Sequence, residues 1–214
     1  MSTGAKKKAM TVVYEVDGVM YINLTNRCSN RCDFCIRNNG DGAYGSDSLW
    51  LEREPTVDEV CRAIDSFGAE KYPEAVFCGY GEPTYRLEEE REIALYIKSR
   101  YPTMKIRINT NGQSDLIHGK NTAPLYKDAF DTVSISLNAP SAEKYQRICH
   151  SIYGDSVLEA IKLFAKRVSE FVPSVKLSVV RETLTEQELE ECRAIADSVG
   201  VALRVRDYIG ANPE

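Results

Sequence analysis

The residues best suited to chemistry lie in NLTNRCSNRCDFCIRN (residues 23–38), where Cys28, Cys32 and Cys35 are spaced C-x3-C-x2-C. Three thiols this close form a metal-ligand pattern, but a structural zinc site takes four protein ligands, usually as two pairs. The remaining cysteines, Cys61, Cys78, Cys149 and Cys192, are scattered and make no second pair, and the two histidines, His118 and His150, are distant in sequence. A catalytic zinc with three protein ligands and one open position stays open as a reading. A 4Fe–4S cluster suits closely spaced thiolates better, and three of them leave one iron uncovered for a substrate or cofactor.

Those thiols follow directly on a strand-like run. TVVYEV and VMYINL alternate apolar and polar residues about Asp17-Gly18, a hairpin signal, and the second run leads into the cysteine loop. AVFCG (75–79), MKIRINTN (104–111), TVSISLN (132–138), VKLSVV (175–180) and ALRVRDY (202–208) read as further strands. Helices separate them. Thr56 with Glu59, and Thr185 with Glu188, have capping-box spacing, Gly68 is a stop, Glu88–Arg100 is a charged surface helix, and residues 155–171 carry helical periodicity. Strand–helix alternation predicts a mainly parallel sheet in one domain over residues 1–214, with residues 1–10 as a flexible tail.

The predicted strands are not apolar on both faces, as covered parallel strands usually are. Ser134, Ser136 and Asn138 share one face, opposite Val133, Ile135 and Leu137; Lys105, Arg107, Asn109 and Asn111 oppose Ile106 and Ile108. Arg204 and Arg206 oppose Leu203 and Val205, while Tyr21, Asn23 and Thr25 oppose Met20, Ile22 and Leu24. Burying so many polar groups unpaired is too costly, so these faces line something wet or ligand-filled. A sheet curled around a lumen, with ligand at the carboxyl ends of its strands, meets that demand; an open sheet with one solvated face is the alternative.

The bulk composition narrows the partners. A net charge of −5 argues against a nucleic-acid surface, and Lys6, Lys7 and Lys8 form the only basic run. No stretch has the apolar length of a membrane span, and seven cysteines with three bunched are unlike a secreted disulfide framework. A cytoplasmic protein with reduced thiols is expected.

The cysteine spacing with Phe34 before the third cysteine, GYGEP (79–83) at the end of the next strand, and NTNG (109–112) at the end of the one after together resemble the radical S-adenosylmethionine (SAM) superfamily. In GYGEP, Tyr80 stands where the family's GGEP motif has its second glycine. The resemblance implies an α/β fold, a six-stranded partial β/α barrel preceded by the hairpin. It implies a 4Fe–4S cluster on Cys28, Cys32 and Cys35, with SAM chelating the uncovered iron. Phe34 would pack beside the adenine, Gly79, Gly81 and Glu82 would hold the SAM amino group, and Asn109, Ser136 and Asn138 would contact its carboxylate and ribose. Reductive cleavage of SAM to a 5′-deoxyadenosyl radical, which abstracts hydrogen from a substrate, is the implied reaction. It needs a reductant such as flavodoxin or ferredoxin.

More narrowly, NLTNRCSNRCDFCIRNNGDG, VFCGYGEPT, IRINTNGQSDLIHG and DTVSISLNAP resemble the TatD-associated radical SAM proteins, which implies a link to a TatD-type nuclease and supplies no substrate. Arg107, Arg204 and Arg206 suit a carboxylate or phosphate on that substrate, or pair with nearby acids instead. Without a cysteine-rich C-terminal extension or a preceding peptide-recognition domain, auxiliary clusters are not expected, and a small molecule is preferred slightly over a protein partner. Loop 37–50 reads as a lid or as an exposed loop. Two rival readings use the same thiols: a zinc-binding scaffold, and an iron–sulfur electron carrier or sensor without SAM cleavage.

Overall fold

The computed structural model describes residues 8–43 and 45–208. The hairpin forms where the Asp-Gly pair placed it. Strands β1 (Val13–Val16) and β2 (Val19–Ile22) pair antiparallel, and both turn residues take positive φ, 50° at Asp17 and 74° at Gly18. That is the geometry of a two-residue turn matched to strand twist. From β2 onward the strands are parallel and in chain order: β3 (Glu74–Phe77), β4 (Lys105–Thr110), β5 (Thr132–Ser136), β6 (Ser174–Val180) and β7 (Ala202–Arg206). Six parallel strands with an N-terminal hairpin, open between β1 and β7, match the expected partial barrel.

The alternation explains the layering. Ile106, Ile108, Val133, Ile135, Leu177 and Val179 turn outward under the helices and are fully buried. Opposite them pack α1 (Val57–Phe67), α2 (Leu87–Arg100), α5 (Val157–Val168) and α6 (Glu186–Val199), while the short α3 (Ser114–His118) and α4 (Ala142–Cys149) lie beyond the ends of β4 and β5. Both predicted capping boxes close, at Thr56/Glu59 and Thr185/Glu188, and Gly68 ends α1 in the left-handed conformation. Among the described residues, no helix is long and apolar enough to cross a membrane.

Three expectations need correction. The strands end one to two residues early, at Phe77, Thr110, Ser136 and Arg206, because the chain peels away into the loops that build the site. Residues 1–7 lie outside the described residues, but the tail does not reach residue 10: the Ala9 N–H donates to the Trp50 carbonyl, and Glu52 N–H to that of Ala9. Finally, α2 is not wholly a surface helix. Glu90 is 0% exposed, and neither carboxylate oxygen has a hydrogen-bond partner. Burial, then the charge of Glu82, pushes its pKa well above the ordinary 4.5.

A carboxyl raised in the fold binds its proton more tightly there than in the unfolded chain. Its contribution is therefore intact below about pH 4.5 and declines as pH rises above it. Glu90→Gln cannot ionise, so the melting temperature of this variant minus that of wild type is expected to grow from pH 5 to pH 8, each kcal/mol appearing as about 2–4 °C. Parallel pH profiles in calorimetry contradict this.

Candidate functional site

A cavity of about 330 Å³ opens at the carboxyl ends of β2 to β7, within the range of small-molecule sites. Cys28, Cys32, Cys35 and Phe34 line one side of it. Gly79, Gly81, Glu82, Arg107, Asn109, Ser136, Asn138, Arg204 and Arg206 line the rest, so every residue assigned from the sequence to cluster, SAM or substrate reaches the same pocket, whereas Asn23, Thr25 and Lys105 of the polar strand faces do not line it. Ser178 on β6 and Cys78 after β3 also line it, although the sequence reading passed over both.

The cysteine loop is held from three directions. The Arg31 and Asp33 N–H groups donate to the carbonyls of Cys149 and Ile148, at 2.9 and 3.0 Å. Asn111 Nδ2 donates to Ser29 Oγ at 2.9 Å, and Gln113 Nε2 to Asn30 Oδ1 at 2.8 Å. Tyr145 OH accepts from Asn30 and Gln113, tying α4 to this buried network. The helix α4 escaped prediction although Ser141 caps it and Tyr145 and Cys149 share its buried face.

The thiols are set in low-dielectric surroundings. Burial, then the Glu82 charge, pushes the Cys28 thiol up to about 12, and burial raises Cys35. Cys32 is raised first by a hydrogen bond with the Cys149 thiol and then by burial. Cys149, distant in sequence, is thus a neighbour of the loop in space. Among the described residues, no three His, Cys, Asp or Glu side chains gather closely enough to hold one metal ion.

GYGEP lines the cavity and also braces the cysteine loop. A Cβ on Gly81 would overlap the carbonyl oxygens of Thr25 and Arg27, and the Glu82 N–H donates to Arg27 O at 2.7 Å. The missing side chain lets the end of β3 lie on the backbone entering the cysteine loop. Glu82 itself is buried: Oε1 accepts from Thr84 Oγ1, Thr84 N and Thr110 Oγ1 at 2.7, 3.2 and 2.6 Å, and Oε2 from Asn111 N at 2.7 Å. It clamps the ends of β3 and β4 together, and it also lines the cavity. Tyr80, the departure from the motif, donates to the carbonyls of Gly40 and Gly42 at 3.0 and 2.8 Å and packs edge-on against Trp50. Loop 37–50 is therefore not wholly exposed: Ala43 and Leu49, with Ile36 just before the loop, line the pocket.

The arginines divide. Arg107 turns its guanidinium on Glu74, at 2.9 and 3.2 Å, and on Asn109 Oδ1 at 3.1 Å. Arg204 is exposed at the rim and Arg206 is half-buried. Asn138, with a left-handed φ of 60° and 3% exposure, donates to Cys149 Sγ at 3.5 Å and keeps a buried Oδ1 without a donor. An orphaned oxygen on a side chain of the pocket wall calls for a donor from a ligand. Thiol donors for a cluster and an acceptor for a polar ligand beside it fit the cofactors expected from the sequence.

The family model described as Radical SAM superfamily matches residues 22–194. The GTP 3′,8-cyclase of Lactiplantibacillus plantarum is 28% identical over 159 residues, covering 74% of this chain and 44% of that protein. The tungsten-containing aldehyde ferredoxin oxidoreductase cofactor-modifying protein of Pyrococcus furiosus is 25% identical over 202 residues, covering 91% of this chain and 52% of that one. The chain thus spans about half the length of these relatives. Streptococcus suis SuiB, in a crystal structure bound to S-adenosylmethionine, superposes with a TM-score of 0.67 at 17% identity, covering 91% of this chain and 41% of that one.

Proposed function

Because the chain belongs to the radical SAM superfamily, whose cofactors are a 4Fe–4S cluster and SAM, we propose that Cys28, Cys32 and Cys35 hold the cluster and that the cavity beside them takes SAM and a substrate. When bound and reduced, these cofactors supply a carbon radical that abstracts hydrogen. The protein's part is to hold, orient and shield. The Ser29, Asn30 and Arg31 contacts fix the thiols; Asn138 Oδ1 accepts from the polar end of the ligand; Phe34, Asn109 and Ser136 line the space for the remainder of SAM; loop 37–50 keeps water from one side. The observation that carries this reading is that the three loop thiols open onto one pocket with the ends of β3, β4 and β5. Residues 1–214 are read as one radical SAM domain. The finer likeness to TatD-associated proteins makes a link to a TatD-type nuclease part of the proposal.

The substrate is an anionic small molecule. Arg107 is paired with Glu74, and Arg204 and Arg206 on β7 line the same pocket at its rim. GTP, from the name of one set of relatives, is the first probe. Arg204→Ala combined with Arg206→Ala is expected to weaken GTP binding in calorimetry at least tenfold, about 1.4 kcal/mol; unchanged affinity removes these arginines from the substrate site. The cofactor reading is tested by electron paramagnetic resonance of the reduced, iron-loaded protein. SAM should shift the cluster signal. An iron-loaded protein whose signal ignores SAM is an electron carrier or sensor, and one that holds only zinc is a scaffold.

A further inference from the structure

Besides the three loop thiols, a fourth opens into the pocket. Cys78 follows β3, is half-buried, and lines the cavity. Its neighbours are Asn109, which hydrogen-bonds it, and the charged groups of Arg107, Arg206 and Glu82. The cavity calls for a ligand on separate grounds, since Asn138 Oδ1 on the same wall has no donor. Cys78 is thus a thiol on the wall of the ligand cavity and not a core filler like Cys192.

We propose that Cys78 is a catalytic hydrogen-atom donor to a carbon radical formed in this pocket. The proposal rests on the radical chemistry inferred above. Among the side chains lining the cavity, a thiol releases a hydrogen atom most readily, because its S–H bond is weaker than the C–H bond that replaces it. The C–H bond forms, the S–H bond breaks homolytically, and sulfur keeps one unpaired electron. One electron from an iron–sulfur or flavin carrier and one proton from water restore the thiol. The donor must be S–H and not thiolate, and burial pushes the Cys78 thiol up, keeping it protonated near neutral pH. The reaction class that follows is one in which a substrate carbon loses a hydrogen and a carbon gains one, an inversion or rearrangement, and not an oxidative coupling.

Thiol hydrogens exchange with solvent and carbon-bound hydrogens do not. The full-length protein, reconstituted anaerobically and supplied with SAM and dithionite in D2O without substrate, should yield 5′-deoxyadenosine carrying one deuterium in most molecules. In Cys78→Ser and Cys78→Ala the label per molecule formed should fall to background. Unlabelled product from wild type, or label persisting in both variants, overturns the proposal. No 5′-deoxyadenosine from wild type overturns instead the radical reading beneath it. A second readout needs no cofactor: in cluster-free protein, iodoacetamide should modify Cys78 at a rate that climbs from pH 7 to pH 10 as thiolate forms, while the buried Cys149 and Cys192 stay unmodified. A Cys78 that stays unmodified even at pH 10 until the protein is denatured overturns its placement in the pocket and the proposal with it.

Discussion

Cys35→Ala is expected to abolish iron binding: where anaerobically reconstituted wild type carries about four irons per chain, the variant should carry close to none. Cys35 is a sharper test than Cys32, because the Cys149 thiol beside Cys32 offers a substitute donor. Cys192→Ala removes a buried thiol of α6 far from the pocket, so it should cost stability by leaving a small cavity yet keep the full iron content. Retention of four irons in Cys35→Ala, measured by elemental analysis, would refute the ligand assignment.

The second large effect comes from a residue with no side chain. Gly81→Ala should displace the Thr25–Arg27 backbone and with it Cys28, since the new Cβ has no room against two carbonyl oxygens. Overpacking of this kind costs about 1–3 kcal/mol, and iron content should fall by more than half. Gly119→Ala is the comparison: Gly119 has a left-handed φ of 63° and open space around it, so alanine there carries only the backbone cost, about 1–2 kcal/mol. Similar melting temperatures with iron lost only in Gly81→Ala would separate the site from general stability. Equal iron content in the two variants would mean that the close approach at Gly81 does not position the cysteine loop.

Local pattern made much of this legible. The Asp17-Gly18 turn, the two capping boxes and the alternation along β4, β5 and β7 each express a preference of neighbouring residues, and each appears in the fold. The polar faces of those strands supply Arg107, Asn109, Ser134, Ser136, Arg204 and Arg206 to the pocket lining, as their alternation implies. What stayed hidden depends on residues that meet across long stretches of chain. Cys149 lies against Cys32 because α4 returns to the cysteine loop, and Cys78 looked like a stray thiol until β3 placed it at the pocket. Glu90 sits among charges in sequence, and only the packing of α2 shows it buried and unpaired. Asn23 and Thr25 continue the polar face of β2 on paper. Asn23 Nδ2 instead donates to Leu49 O at 2.9 Å and Thr25 Oγ1 to Glu54 at 2.6 Å, so both anchor the walls of the site and not its contents. The acid of GYGEP lines the pocket and also braces the end of β4, a second role set by Thr110 and Asn111 arriving beside it.

The most direct measurement is product analysis on the anaerobically reconstituted protein given SAM and dithionite. Methionine and 5′-deoxyadenosine should appear in equal amounts with wild type and not with Cys35→Ala. An iron-loaded wild type that leaves SAM intact would contradict the assignment of this pocket to radical SAM chemistry.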